Sequence, residues 1–71
     1  MNLQLHLGRV KWFDQQQGYG FISPSNGGDD IYVTRKSIAN TKIKSLMEGQ
    51  NVEFSVTRGS TGITAADVIA F

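Results

Sequence analysis

Four aromatic side chains fall within one short segment of the chain: Lys11-Trp12-Phe13-Asp14-Gln15-Gln16-Gln17-Gly18-Tyr19-Gly20-Phe21-Ile22. The second half of this segment alternates, so a β-strand here would project Tyr19 and Phe21 from one face. Gly18, Gly20 and Ile22 occupy the other face, which is the natural core side. Large rings exposed on a small protein indicate a binding surface. Unpaired nucleic-acid bases are the partners that fit best, because every base has a π-face on which a ring can stack.

The composition restricts the classes of function. The chain has 71 residues, enough for one domain. A domain of this size buries only about 60% of its unfolded surface, so a closed β-barrel or idealised helices are needed to hold it. There is no cysteine, which excludes disulfides and thiolate metal sites. The single histidine, His6, leaves few routes to acid–base or triad chemistry. We therefore predict no enzyme, no cofactor and no metal site.

The charge balance restricts how nucleic acid could be held. Seven Lys and Arg residues stand against six Asp and Glu, for a formal net charge of +1. A protein that grips duplex DNA by its phosphates is usually far more basic. Stacking must then supply more of the affinity than charge does.

The chain shows no targeting signal. Its first seven residues lack the basic region and long apolar run of a signal peptide. No segment approaches the roughly 18 apolar residues that a membrane span requires. We therefore expect a cytoplasmic protein without membrane contact.

Alternating side chains and turn residues predict five β-strands. The first starts with the apolar row at Leu3 and continues over 9–13, and the others cover 18–23, 30–34, 50–58 and 63–70. The connection 35–49 has room for one helical turn, over 37–39. Five short strands with one long connection favour a small closed or nearly closed barrel. The side chains expected to face its core are Val10, Ile22, Ile31, Val33, Val52, Phe54 and Val56.

The leucine row raises a further hypothesis. Leu3, Leu5 and Leu7 are out of phase with Val10, and a bulge or bend at Gly8 would reconcile them. If their face is not folded into the barrel, it forms an apolar strand edge able to pair with another chain. The connection 35–49 could likewise act as a hinge for strand exchange. We expect a monomer, with a homodimer formed by strand pairing or exchange as the alternative.

Five segments together resemble the bacterial cold-shock protein family. They are Gly8-Arg9-Val10-Lys11-Trp12-Phe13-Asp14, Gly18-Tyr19-Gly20-Phe21-Ile22, Asp30-Ile31-Tyr32-Val33, Glu48-Gly49-Gln50-Asn51-Val52-Glu53-Phe54 and Ala65-Ala66-Asp67-Val68. The resemblance covers residues 8–68, and it implies a single cold-shock domain over 1–71. The fold that it implies is all-β, a five-stranded antiparallel oligonucleotide-binding barrel.

The resemblance also implies which residues bind nucleic acid. Rings stack on successive bases, a lysine meets a backbone phosphate, and two carboxylates accept hydrogen bonds from base edges. Trp12 and Phe13 are adjacent, so ordinary alternation cannot expose both fully. The residues placed in the site are Lys11, Trp12, Phe13, Asp14, Tyr19, Phe21, Asp30, Tyr32 and Arg35. The function implied is binding of single-stranded RNA or DNA, pyrimidine-rich by preference and with low sequence specificity. The protein would be an RNA chaperone with a role in transcription regulation.

The chain departs from the family's pattern at six positions: Gln17, Thr34, Arg35, Ile43, Thr61 and Ile63. The first replaces a lysine, the next three replace a histidine and two aromatic residues, and the last two stand where Arg and Pro are common. Each missing ring removes about 1 kcal/mol or more of stacking free energy, so we expect weaker nucleic-acid binding than is usual in the family. Arg35 partly compensates, because a guanidinium stacks on bases and pairs with phosphate. The alternative is a cold-shock fold with weakened nucleic-acid affinity that serves as a protein-interaction or dimerisation module.

Overall fold

The computed structural model describes residues 5–40, 45–60 and 62–71. It contains five strands and one short 3-10 turn at Arg35–Ser37. The strands are β1 (His6–Asp14), β2 (Tyr19–Pro24), β3 (Ile31–Thr34), β4 (Asn51–Gly59) and β5 (Gly62–Ala70). Their bounds agree with the predicted ones to within a residue or two, apart from the start of β1, because its predicted start at Leu3 falls outside the described residues. The helical turn lies two residues before its predicted place. The predictions for Leu3, Ile43 and Thr61 fall outside the described residues.

The strands close into a barrel in the order β1-β2-β3-β5-β4. Four neighbouring pairs are antiparallel, and β3 and β5 are parallel, with Tyr32 opposite Thr64. The predicted five-stranded antiparallel barrel is therefore confirmed, with one parallel seam between β3 and β5. The reason is geometric: five strands in a ring cannot all alternate in direction, so closure requires at least one parallel pair.

The barrel interior is filled by aliphatic side chains that surround the ring of Phe54. Five predicted core residues, Val10, Ile22, Val33, Val52 and Phe54, are buried. The other two, Ile31 and Val56, are half-buried and pack against them. The connection after β3 and strand β5 complete this core with Ile38, Leu46, Ala65, Val68 and Ala70.

Strand β1 contains a bulge, but not where the sequence predicts it. Gly8 pairs regularly with Pro24 on one side and with Val52 on the other. The register shifts instead between Val10, opposite Ile22, and Trp12, opposite Phe21. Lys11 is thus the extra residue. The prediction at Gly8 fails because the leucines do not turn inward: Leu5 and Leu7 are 51% and 55% exposed.

The exposed leucines do not form a free strand edge. Strand β1 pairs with β2 along one side and with β4 along the other. Leu7 lies opposite Glu53 of β4 within that second pair. The predicted edge for strand pairing is therefore absent from the described part of β1, and the leucines lie on the outer surface of the barrel.

Gly20 is the point of closest approach between β1 and β2. It lies opposite Phe13 in the register. A Cβ atom on Gly20 would clash with the carbonyl oxygen of Trp12 and lie 2.7 Å from the Cα of Phe13. Because these are backbone atoms, the strand itself would have to move.

We expect Gly20→Ala to lower the free energy of unfolding by about 2–3 kcal/mol, the cost of overpacking against atoms that cannot move aside. Urea unfolding followed by Trp12 fluorescence measures this loss. Gly59→Ala is the matched control, because nothing lies within 4 Å of a Cβ there; it should change stability by less than about 1 kcal/mol. Equal stability of the two variants would contradict the packing described for β1 and β2.

Candidate nucleic-acid interface

Four rings from three adjacent strands form a continuous circuit on the outside of the barrel. Centroid distances are 5.4 Å for Trp12–Phe21, 5.5 Å for Trp12–Tyr19, 5.7 Å for Phe21–Tyr32 and 5.8 Å for Tyr19–Tyr32. Interplanar angles of 38–76° show that no pair lies flat on its neighbour. Trp12 and Tyr32 are 38% and 36% exposed, and the other two rings are half-buried. We call these four rings the aromatic face.

The bulge and the strand register build the aromatic face. Strand β2 alternates as predicted, so Tyr19 and Phe21 point outward while Gly20 and Ile22 are buried. Phe21 lies opposite Tyr32 of β3 and opposite Trp12 of β1. In a regular strand of the same sequence, without the bulge, Trp12 would share the inward phase of Val10. The bulge therefore brings Trp12 to the face that the other three rings already share.

The same phase shift turns Phe13 toward the core. It is half-buried and packs partly against the core residues. Its ring makes no contact with the four rings of the aromatic face among the ring pairs described. Of the two adjacent rings, the structure thus brings only Trp12 into the cluster. A ligand contact by Phe13 stays a prediction.

Lys11, which the resemblance predicts to contact a phosphate, forms an ion pair with Asp30, one of the two carboxylates predicted to accept hydrogen bonds from base edges. Lys11 Nζ lies 2.8 Å from Asp30 Oδ2, and the hydroxyl of Ser23 donates to Asp30 Oδ1 at 3.4 Å. This is the only ion pair within residues 5–40, 45–60 and 62–71. Both side chains are partly exposed, so the pair contributes at most about 1 kcal/mol. A phosphate could therefore displace the carboxylate at small cost.

Asp14 caps the loop between β1 and β2. Its Oδ1 accepts hydrogen bonds from the backbone N–H groups of Gln16 and Gln17, both at 2.9 Å. Such Asx turns are a common use of aspartate at the start of a tight loop. The sequence placed Asp14 in the site as a base reader, and the structure gives one of its oxygens a local role in the loop. A base contact by this residue stays a prediction.

A cationic cleft continues the aromatic face beyond Tyr19 and Tyr32. It has a volume of about 580 Å³, and Arg35 and Lys36 are among the residues that line it. Lys36 was missed in the sequence, although its position directly after Arg35, at the end of the third strand, is the signal that could have found it. Among the residues that the structure describes, the cations near the rings therefore lie at two ends of the aromatic face. Lys11 lies at one end, and Arg35 and Lys36 lie at the other.

Metal-binding clusters and membrane-spanning helices were looked for in the part of the chain that the structure describes. Within the described ranges, His, Cys, Asp and Glu side chains form no group of three that could hold a metal ion. None of the described helical segments is long and apolar enough to cross a membrane.

Comparison with known sequences leads to the same family that the motifs resemble. The family model described as the 'Cold-shock' DNA-binding domain matches residues 6–71. The cold shock-like protein CspG of Shewanella violacea is 49% identical over 63 residues, which cover 89% of this chain and 90% of that protein. The cold shock-like protein CspE of Escherichia coli K12 is 48% identical over 63 residues, with 89% and 91% covered.

A solved structure confirms the barrel. The Drosophila Unr CSD456 structure superimposes with a TM-score of 0.81 over 99% of this chain, at 14% identity. This chain corresponds to 28% of that longer one, so the match concerns the fold alone. It supports the predicted all-β oligonucleotide-binding barrel of the cold-shock type. The sequence matches and the barrel together show that the chain belongs to the cold-shock domain family, whose members bind nucleic acid and are not enzymes.

Proposed function

We propose that the aromatic face binds single-stranded RNA or DNA by stacking unpaired bases on its rings, with low sequence specificity. The observation that carries the proposal is the circuit of four rings, each 5.4–5.8 Å from its neighbours, on the outer surface of β1, β2 and β3. Their tilted planes leave ring faces that are not covered by one another. Base–ring stacking is sequence-tolerant, because it reads no hydrogen-bond pattern.

The expected affinity follows from the number of rings. Each stacked base contributes about 1–3 kcal/mol by alanine substitution. Four rings, reduced by the cost of ordering the strand, give dissociation constants in about the micromolar to nanomolar range. The rings absent at positions 34, 35 and 43 place this chain toward the weaker end.

Charge plays the smaller part in this account. Lys11, Arg35 and Lys36 are the cations that flank the rings, and the formal net charge is only +1. Each phosphate neutralised on a single strand contributes about −0.7 to the slope of log affinity against log salt. Two such contacts, at Lys11 and Lys36, give a shallow slope. Phe13 and Asp14 complete the proposed site as secondary contacts, and Asp30 borders it through its ion pair with Lys11.

The consequence for an RNA is a shift between its paired and unpaired forms. A protein that binds only unpaired bases stabilises the open strand relative to a weak hairpin, in proportion to its differential affinity. We propose that the chain acts in this way as a cytoplasmic RNA chaperone that prefers pyrimidine-rich strands. Transcription regulation would follow where the opened hairpin is a transcriptional signal.

Removing one ring tests the stacking directly. We expect a short oligothymidine to quench Trp12 fluorescence saturably, and Tyr32→Ala to weaken binding by about 1–3 kcal/mol through the loss of one stacked base. Tyr32 contacts Tyr19 and Phe21 but not Trp12 among the ring pairs, so the reporter's own surroundings stay unchanged.

Two control variants complete this test. Tyr32→Phe keeps the ring and should bind nearly as the wild type does. Met47→Ala removes an apolar side chain that is 69% exposed and is not part of the aromatic face, and should have no effect. Absence of quenching at tens of micromolar oligothymidine, or equal binding by Tyr32→Ala, would contradict the proposal.

The ion pair provides a second test, because two roles for Asp30 give opposite outcomes. If its carboxylate competes with phosphate for Lys11, Asp30→Asn should tighten oligothymidine binding by up to a few-fold, within the 0–1 kcal/mol typical of exposed pairs. If the carboxylate instead reads base edges, the same variant should weaken binding. We expect the tightening.

The control for this second test is Asp29→Asn, which removes the same charge one residue away. The salt dependence of the oligothymidine titration should become steeper in Asp30→Asn and less so in Asp29→Asn. Equal gains in the two variants would show that only overall charge matters and that the ion pair with Lys11 is irrelevant.

A second candidate function, self-association, rests on another surface. Leu5, Leu7, Ile69 and Phe71 are 41–70% exposed. Leu7 lies opposite Glu53, which lies opposite Ile69, so these side chains share one outer face of β1, β4 and β5. Exposed apolar patches of about 300–600 Å² are often functional. This back face is centred on β4, away from the aromatic face centred on β2.

The charges on the back face favour a second copy of the chain as its occupant. Arg9 lies in the row next to Glu53, and neither takes part in an ion pair within the described ranges. A two-fold axis through the patch would bring Arg9 of each copy against Glu53 of the other. The dimer would leave both aromatic faces open, so two segments of one strand could bind together.

Charge reversal tests this second candidate. We expect sedimentation equilibrium of the wild type to show a monomer–dimer equilibrium that Arg9→Glu weakens. The double variant Arg9→Glu with Glu53→Arg should restore it, because the cross-axis pairing is rebuilt with reversed signs. A wild type that stays monomeric at high concentration would eliminate the candidate.

A further inference from the structure

Arg35 follows β3 directly, and both its backbone and its side chain contact the loop between β1 and β2. Its backbone N–H donates to the carbonyl of Gly18 at 2.8 Å. Its Nη2 donates to the carbonyl oxygen of Gln15. The main chain and the side chain of one residue thus hold both ends of the segment 15–18. We propose that Arg35 is a positioning residue, which locks this loop against the end of β3 and so fixes Tyr19 in the aromatic face.

Gly18 makes this contact possible. A Cβ atom there would lie 2.8 Å from Nη1 and 3.1 Å from Cζ of Arg35, so the guanidinium lies directly against the glycine backbone. Gly18 also has a φ of +77°, a conformation that residues with a Cβ rarely adopt. Gly18 and Arg35 therefore act as one unit: the glycine supplies the space, and the arginine occupies it.

Gln15 continues the connection on the other side of the loop. Its carbonyl accepts the hydrogen bond from Arg35, and its side-chain Nε2 donates to the carbonyl of Leu46 at 2.8 Å. Leu46 is fully buried in the core. The loop is therefore held between the end of β3 and the segment that precedes β4, in addition to the cap that Asp14 supplies.

Tyr19 is the ring that this arrangement serves. It follows Gly18 directly and lies opposite Thr34, the residue before Arg35. A loop that is ordered before the ligand arrives lowers the entropy cost of binding. The position that holds a stacking ring in the family's pattern is thus used here to order the loop. This inference rests on the proposed nucleic-acid binding for its effect on affinity, but not for its effect on the loop.

The Arg35→Lys variant distinguishes a positioning role of this residue from a phosphate-binding role. A planar guanidinium lies flat against a backbone and donates in a fixed fork, whereas an ammonium is a compact point charge on a flexible stem. Lysine therefore preserves the charge but not the lock. If Arg35 acts mainly on a phosphate, Arg35→Lys should retain most of the binding; if it acts on the loop, the lysine should behave much like alanine.

The first measurement is amide hydrogen exchange in the protein without ligand. We expect Arg35→Ala and Arg35→Lys each to accelerate exchange at the amides of 16–18 by about tenfold or more, because local opening becomes easier. Lys36→Ala removes the neighbouring charge and should leave these exchange rates unchanged. Unchanged exchange in Arg35→Ala would overturn the proposal, whatever the ligand of the aromatic face.

The second measurement is oligothymidine affinity at several salt concentrations, well below the unfolding temperature of each variant. We expect Arg35→Ala and Arg35→Lys to weaken binding by a similar factor, about three- to tenfold, with the wild-type salt slope retained. A lysine variant that binds like the wild type, with the alanine slope shallower by about 0.7, would show a phosphate ligand and overturn the positioning role. A wild type that does not bind oligothymidine would refute the proposed function alone, and the exchange rates would still decide the role of Arg35.

Discussion

The bulge at Lys11 is the constraint on which the outer surface of this barrel depends. One extra residue in β1, opposite the step from Ile22 to Phe21 in β2, reverses the phase of everything that follows it in the strand. Val10 before the bulge fills the core, whereas Trp12 after it joins the rings and Phe13 turns inward. The bulged residue also faces out and reaches Asp30. A regular strand would bury the tryptophan with Val10 and separate it from Tyr19 and Phe21. The position at which the register shifts thus determines both the aromatic face and the ion pair beside it.

The sequence predicts the features that depend on local alternation. The strand bounds, most of the core and the shared face of Tyr19 and Phe21 follow from a period of two, and the resemblance correctly extends that face to Tyr32. The features that it misses depend on residues far apart in the chain. The position of the bulge is set by pairing with β2, the parallel seam by closure of five strands, and the contact of Arg35 with Gln15 by a loop twenty residues earlier. The bulge predicted at Gly8 from the leucine row was wrong, because alternation alone does not show which face of a strand is inside.

In the binding that we propose, stacking contributes more than charge. The cations that flank the rings are few, and two of the three have a competing contact: Lys11 pairs with Asp30, and Arg35 donates to the carbonyl of Gln15 in the loop before Tyr19. A ligand phosphate gains only the difference between its own attraction and that of the carboxylate it replaces. The rings have no such competitor, since their tilted contacts leave faces open to a base. A larger share of stacking fits a protein that binds single strands of many sequences, because the ring faces supply sequence-independent affinity.

The central claim is that bases stack on Trp12, Tyr19, Phe21 and Tyr32 together. Intermolecular nuclear Overhauser effects between a short oligothymidine and the aromatic protons of the protein test it most directly. The account predicts contacts from thymine protons to these four rings, shifts from ring currents at the same protons, and unchanged signals from Phe71 on the back face. Contacts at Phe71 and Leu7 instead, or none at the four rings under saturating oligothymidine, would contradict it.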